Sequence, residues 1–100
     1  MEVKRVKSDL GFTKYEVVGC NHVRITVPTA PYGYGYSSSS WTIRIPDLSS
    51  PTPQGGYATR AIYYSRTLEG IKEVLSRFST EEELFGAYYK SRLAGKTQLF

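Results

Sequence analysis

The sequence has very little cysteine, histidine or tryptophan, with one residue of each type in 100. The single thiol, Cys20, can form no intramolecular disulfide and cannot supply the cysteine ligands of a structural zinc site. No apolar run approaches the roughly 20 residues of a membrane-spanning helix. The N-terminus is charged from its second residue and lacks the apolar stretch of a secretion signal. We therefore expect a cytoplasmic location and no membrane partner.

Motifs for catalysis and nucleotide binding are missing as well. The glycines in residues 31–36 lack the spacing of a dinucleotide-binding loop, and the Gly-Lys-Thr at 95–97 lacks the upstream glycine of a Walker A loop. Cys20 and His22 could form a nucleophile and its base, but no third member is recognisable. A small turn residue beside a surface histidine is the simpler interpretation. We expect no catalytic residue, no metal site and no cofactor.

The residues that are present are typical of a folded domain. Forty per cent are hydrophobic and 22% are charged, and the length suits one domain over residues 1–100. The net charge is +4: residues 1–66 contain eight Lys and Arg against four acids, whereas residues 67–100 contain five of each. This asymmetry favours an acidic partner for the first two thirds of the chain, although a charge of this size also serves solubility alone.

Hydrophobic periodicity predicts β-strands in the first two thirds. Apolar and polar residues alternate strictly in His22–Val27 and Trp41–Ile45, the pattern of strands that are covered on one face only. Val23, Ile25, Ile43 and Ile45 are then expected to face the core. Three further segments are rich in β-branched and aromatic residues and are also predicted strands: Val3–Lys7, Phe12–Val18 and Tyr57–Tyr64.

Turn-forming residues separate these segments. Glycine, asparagine and aspartate at 8–11 and 19–21 favour tight turns, so the first three strands are expected to form a meander. Residues 28–40 and 46–56 are interpreted as two loops longer than the usual hairpin connection. If the third and fourth strands pair, the 28–40 loop leaves the sheet at the same end as the 8–11 turn.

The period changes to helical in the last third. Thr67 is a suitable cap for a helix over about 68–78, and either Ser79 or Thr80 for one over about 81–94 that ends at Gly95. The acids Glu81–Glu83 fit the positive end of that second helix, so capping explains them better than catalysis. The tail 96–100 either frays or docks. The expected apolar faces comprise Leu68, Ile71, Val74, Leu75 and Phe78 in the first helix, and Leu84, Phe85, Tyr88, Tyr89 and Leu93 in the second.

The order of elements, β-β-β-β-β-α-α, predicts an α+β fold. A curled antiparallel sheet of four or five strands, connected as a meander within residues 2–64, would be followed by two C-terminal helices packed on one face. This arrangement buries both sets of apolar residues in a single α+β domain.

The sheet face opposite the helices is the first candidate site. Arg24 and Arg44 are expected to project from it, and Arg60 joins them if its strand has the matching phase, which the sequence leaves ambiguous. Arginines spaced across strands can track phosphates. The alternative is an ordinary solvated face, for which arginine and threonine are common choices.

The Tyr-Gly-Ser loop is the second candidate site. Tyr32, Tyr34 and Tyr36 alternate with glycines and precede four serines. Flat side chains on a free backbone suit partner binding, and Lys7 and Lys14, which flank the 8–11 turn, would be basic neighbours. The alternative is a flexible connection, for which the same composition is typical.

Three function classes follow from these features. The first is a non-catalytic module that binds nucleic acid or a nucleoprotein through a basic sheet edge and the tyrosine loop. The second is a protein-binding inhibitor or adaptor, of the size and style of phage or mobile-element accessory proteins, or a subunit of a homo-oligomer. The third is a metal-independent ribonuclease. The size and charge suit the bacterial mRNA-cleaving toxins, but those proteins place their helices early, between strands.

Overall fold

Five antiparallel strands form one open sheet in the order of the sequence, and two helices follow. The computed structural model describes residues 1–7, 13–28 and 40–100. The predicted α+β meander with two C-terminal helices is confirmed. The strands are β1 (Val3–Lys7), β2 (Thr13–Val17), β3 (Arg24–Thr26), β4 (Trp41–Pro51) and β5 (Tyr57–Ser65), and the helices are α1 (Leu68–Ser76) and α2 (Glu81–Leu93).

The core lies between the helices and one face of the sheet. The four residues that the alternation of β3 and β4 assigns to the core, Val23, Ile25, Ile43 and Ile45, are all buried there, so this prediction is confirmed. Alternation works here because side chains of a strand point to opposite faces in turn. The other buried apolar residues are Val17, Ile62, Ile71, Val74, Leu75, Leu84, Tyr88 and Leu99.

A β-bulge in β5 changes which residues of that strand face the core. Ile43 pairs with Tyr63, but the next residue, Arg44, pairs with Ala61, so Ile62 is the extra residue in β5. Ile62 is completely buried, and Tyr63 is also packed against the core. The bulge therefore lets two consecutive large residues contribute to the core.

Strand β4 is longer than its sequence predicts. Residues 46–51 belong to the strand and not to a loop, so the prediction of a loop over 46–56 is wrong. Pairing there is irregular: Pro46 faces Thr59 and Pro51 faces Tyr57, with a second bulge between them. Proline cannot donate to a ladder, and this is why the segment resembles a loop in the sequence. The connection to β5 is the short segment 52–56.

Both helices begin at the predicted caps. Thr67 Oγ1 accepts a hydrogen bond from the Gly70 backbone N–H (3.1 Å), and Thr80 Oγ1 accepts one from the Glu83 N–H (3.3 Å). Thr80, rather than Ser79, is thus the cap of α2. Gly95 follows α2 with a φ of 85°, which only glycine adopts readily.

The expected apolar face of α2 is only partly correct. Leu84 and Tyr88 are buried, but Leu93 is 91% exposed and Tyr89 is 37% exposed. The last turn of the helix and residues 94–97 are exposed, apart from a half-buried Ser91. The C-terminal part of α2 therefore projects beyond the core, and its apolar residues are left for solvent or a partner.

The C-terminal tail docks on the sheet. The Leu99 backbone N–H donates to the Ile62 carbonyl (2.7 Å), and Ser91 Oγ donates to the Leu99 carbonyl (2.7 Å). The Leu99 side chain is buried, and the ring of Phe100 packs edge-on against Tyr63. Of the two expectations for the tail, docking is the one that the structure supports.

Candidate binding face

The sheet face opposite α1 and α2 presents a row of charged residues across four neighbouring strands. The strand register places Lys4 opposite Glu16, Glu16 opposite Arg24, and Arg24 opposite Arg44. Residues that pair across antiparallel strands share a face, and this face is opposite to that of Ile25 and Ile43. We call it the open face. Arg24 and Arg44 both lie on it, as the sequence predicts.

Cations outnumber acids among the described strand residues of the open face. Lys14 lies there because it pairs with Val6, two residues from Lys4, and its ammonium contacts the Glu16 carboxylate at 3.2 Å. Both partners of this ion pair are more than half exposed, so the pair stays accessible to solvent. Neither Lys4 nor Arg24 has an ion-pair partner among the described residues, and both residues are exposed.

Arg44 is the most restrained cation of the row. Its Nε donates to Thr59 Oγ1 (2.9 Å) and one of its Nη atoms donates to the Thr59 carbonyl (3.1 Å). Thr59 belongs to β5, so the guanidinium is held along the sheet surface and is half-buried. These bonds fix its position, and the other Nη, which has no partner among the described residues, can donate to an anion.

Arg60 does not join this row. It pairs with Ile45, a core residue, and therefore lies on the helix-bearing face. Its Nη1 contacts Asp47 Oδ2 at 3.6 Å. The condition under which Arg60 would join Arg24 and Arg44 is not met, because the bulge at Ile62 shifts the phase of β5.

The two lysines at the top of β1 and β2 lie on opposite faces. Lys14 is on the open face, whereas Lys7 pairs with Thr13 and shares the face of Arg5. The turn that they flank, and the tyrosines Tyr32, Tyr34 and Tyr36, lie outside the described residues. Strand directions place the last residues of β1 and β3 and the first residues of β2 and β4 at the same end of the sheet.

A groove between β2 and β3 adds a concave element to the open face. These strands are joined by a single registered pair, Glu16 with Arg24, and the gap beside it has a volume of about 520 Å³. Lys4, Lys14 and Arg24 all line the groove. No sequence signal predicts it, because it depends on how little of β3 pairs with β2.

Aromatic and hydroxyl side chains continue the open face toward β5. Thr26 pairs with Thr42, and Thr42 pairs with Tyr64. Thr42 is buried despite its position, whereas about half of Tyr64 is exposed. Tyr64 is thus an exposed aromatic ring on this face, and it can stack on a flat ligand.

The surroundings of Cys20 and His22 do not favour a nucleophilic thiolate. The structure supplies a carboxylate near them, since His22 Nδ1 lies 3.2 Å from Glu81 Oε1. However, burial and then the Glu81 carboxylate raise the pKa of the Cys20 thiol, which therefore stays protonated. The thiol contacts Met1 Sδ at 3.4 Å. Among residues 1–7, 13–28 and 40–100, no cluster of His, Cys, Asp or Glu has the arrangement of a metal site.

Comparison with known proteins does not add a family to these observations. The chain matches no protein-family model, no curated protein and no solved structure. Neither described helix, of 9 and 13 residues, is long and apolar enough to cross a membrane. The arguments for function therefore come from the chemistry of the surface.

Proposed function

We propose that the protein is a non-catalytic binding protein whose open face binds the backbone of single-stranded nucleic acid. The observation that carries the proposal is the row of Lys4, Lys14, Arg24 and Arg44 on a face that neither α1 nor α2 covers. Lysine and arginine bind phosphates through charge and hydrogen bonds, and together they supply most of the affinity of nucleic-acid binders.

The shape of the open face favours a single strand over a duplex. Five strands about 4.8 Å apart give a face of roughly 19 Å, which is wider than the major groove of about 12 Å. A broad sheet cannot enter that groove. An extended single strand of nucleic acid, however, can lie across the open face. The half-exposed ring of Tyr64 provides a surface on which a base can stack.

Binding of a labelled single-stranded oligonucleotide, measured by fluorescence anisotropy, tests the proposal. The variant Lys4→Gln/Arg24→Gln removes two exposed cations from the open face. Its affinity is expected to fall about 25-fold at 0.1 M salt, since each lost phosphate contact removes about 0.7 log units per decade of salt below 1 M. Equal affinity for the variant and the wild type would overturn the proposal.

The matched control is Lys72→Gln/Lys90→Gln. It also removes two exposed cations, but from the helices. Its affinity is expected to stay within about twofold of the wild type, because charges beyond a Debye length of about 10 Å contribute little at this salt concentration. An equal loss in both variants would mean that net charge, and not the open face, attracts the ligand.

Two alternative functions predicted from the sequence, a ribonuclease and a subunit of a homo-oligomer, can be tested by simple measurements. Incubation of the purified protein with RNA, followed by gel electrophoresis, tests the ribonuclease alternative, for which cleavage is the required result. The mass in solution tests self-association. A role for Tyr32, Tyr34 and Tyr36 in binding, and a cytoplasmic location, stay predictions from the sequence.

A further inference from the structure

Strand β1 forms one edge of the sheet, and its outer side has no neighbouring strand. The order of the strands is β1-β2-β3-β4-β5, so within the described part of the chain β1 pairs with β2 alone. The Val18 N–H donates to the Glu2 carbonyl (2.9 Å), which makes these two residues a hydrogen-bonded pair of the antiparallel ladder. In such a ladder, hydrogen-bonded pairs alternate with pairs that exchange no bonds. The alternation decides which residues of β1 direct their backbone groups outward.

Every second residue of β1 directs its backbone N–H and C=O groups away from β2. In the register of the two strands, Lys4 and Val6 repeat the geometry of Glu2 and bond to β2, whereas the residues between them do not. The outward residues are Val3, Arg5 and Lys7. No hydrogen bond from another described residue satisfies their outward groups. An edge of this kind is a template on which another extended chain can pair.

The charges beside this edge differ between the two faces of β1. Arg5 and Lys7 are exposed and share one face, and the residues that lie opposite them in β2 are uncharged. On the open face, by contrast, Lys4 lies opposite Glu16 and two residues from Glu2. Neither Arg5 nor Lys7 forms an ion pair with a described residue. The edge is therefore basic on the face of Arg5 and Lys7.

These charges disfavour a second copy of the chain as the occupant of the edge and favour an acidic segment. In the antiparallel pairing that uses all three outward residues, Arg5 would lie opposite Arg5 of the other copy. Like charges directly opposite each other destabilise a strand pair, and cations on an edge strand prevent pairing between copies in this way. An acidic segment would instead place carboxylates opposite Arg5 and Lys7, where opposite charges attract.

We propose that the outer edge of β1 binds an extended acidic segment of a partner protein, which pairs antiparallel with Val3–Lys7 and extends the sheet. Its backbone bonds to the outward groups of β1, and two of its acids lie opposite Arg5 and Lys7. The residue between these acids lies opposite the half-buried Val6, where a β-branched side chain packs well. The expected motif is thus an acid, a β-branched residue and a second acid. A nucleic acid has no peptide backbone with which to continue the ladder, so this site differs in chemistry from the open face.

Selection from a library of random peptides displayed on phage tests the proposal, with Arg5→Glu/Lys7→Glu in the counter-selection. The expected result is a set of peptides with two acids separated by one residue. One selected peptide is then added to the isotope-labelled protein, and amide hydrogen exchange is followed by NMR. The Arg5 and Lys7 amides are expected to exchange rapidly in the free protein and about tenfold more slowly, or slower still, in the complex. The Lys4 and Val6 amides, which bond to β2, are expected to be protected in both states.

Variants at Arg5 separate the charge from the backbone bonds. Arg5→Gln removes the charge alone and is expected to weaken binding of the selected peptide about threefold, the effect of one exposed ion pair. Arg5→Pro also removes the outward N–H and is expected to weaken binding about tenfold further, because a backbone hydrogen bond is lost. Edge strands tolerate proline where the N–H faces solvent, and circular dichroism checks that this variant remains folded.

Methylation of the peptide's own amide nitrogens gives the same information without a change in the protein. Methyl groups on the alternate amides that face β1 are expected to abolish binding, because they block the ladder. Methyl groups on the other set of amides are expected to leave binding within about threefold of the unmodified peptide, since those amides face solvent and form no bond with β1.

Three results would overturn the proposal. One is failure to enrich peptides with alternating acids. Another is exchange at the Arg5 and Lys7 amides that the peptide does not slow, or that is already slow in the free protein. The third is equal binding by the two methylated peptides, since charge alone would then attract them. Arg24→Gln, on the open face, is expected to bind the selected peptide as the wild type does, so failure at this edge is distinguishable from failure of nucleic-acid binding.

Discussion

Raising the salt concentration is expected to weaken nucleic-acid binding by an amount that the open face itself determines. The logarithm of the affinity of a single strand falls by about 0.7 per decade of salt for each phosphate that a cation contacts. Four cations lie on the open face, Lys4, Lys14, Arg24 and Arg44. If all four contact phosphates, the slope of log K against log salt is about −2.8.

Two of these cations are partly engaged, which sets the lower limit. Lys14 is paired with Glu16, and Arg44 directs its Nε and one Nη to Thr59. With Lys4 and Arg24 alone, the slope is about −1.4. Between 50 and 200 mM salt the affinity is therefore expected to fall by about 7-fold to 50-fold.

Anisotropy titrations at four or more salt concentrations measure this slope directly. Lys4→Gln/Arg24→Gln is expected to reduce its magnitude by about 1.4, whereas Lys72→Gln/Lys90→Gln leaves it unchanged. A wild-type slope near zero would refute the reasoning, and so would a slope that the first variant does not alter. If Tyr32, Tyr34 and Tyr36 stack on bases as the sequence predicts, replacing them by serine is expected to lower the affinity without changing the slope.

Three further predictions concern the stability of the fold, each measured by urea unfolding. Tyr88→Phe is expected to raise the free energy of unfolding by about 1 kcal/mol, because the buried Tyr88 hydroxyl has no hydrogen-bond partner among the described residues; a loss of stability would show that the hydroxyl is satisfied. Asp47 has a lowered pKa, so its carboxylate stabilises the folded state above the ordinary value of 3.8 and loses this effect as the pH falls through the folded-state pKa. Asp47→Asn is therefore expected to destabilise the protein at neutral pH and to differ little from the wild type in acid, and an equal loss at both would contradict this cause. Leu99→Ala is expected to cost about 2 to 3 kcal/mol, since Leu99 is buried and its N–H bonds to Ile62; a change near zero would mean that the tail is not docked in solution.

The features that local sequence determines are the ones that can be predicted. The caps Thr67 and Thr80 depend on a hydroxyl three residues before an N–H, and both are present as expected. Gly95 ends α2 because it adopts a positive φ. Alternation in β3 and β4 assigns the core correctly, because only one face of each segment is buried wherever apolar and polar residues alternate.

Features that depend on distant parts of the chain could not be predicted. Pro46, Asp47 and Pro51 have the composition of a loop, and the segment becomes strand because β5 pairs with Pro46 and with Pro51. Leu93 is exposed because α2 extends past the core. The hydrophobic periodicity of α2 does not indicate where the core ends. The same limit applies to the site: the sequence places Arg24 and Arg44 on one face, but not the groove beside them or the ties of Arg44 to Thr59.

The bulge at Ile62 determines which residues of β5 face the core and which lie on the open face. The charge of the open face therefore depends on which residue of β5 the core buries. In a slipped register without the bulge, Arg44 would pair with Ile62, and Pro46 would pair with Arg60. The open face would then carry three arginines and an exposed isoleucine, while Ala61 would replace Ile62 in the core. A one-residue slip always exchanges the two faces in this way. Burial of Ile62 therefore does more than stabilise the fold, because it selects the less basic of two possible surfaces.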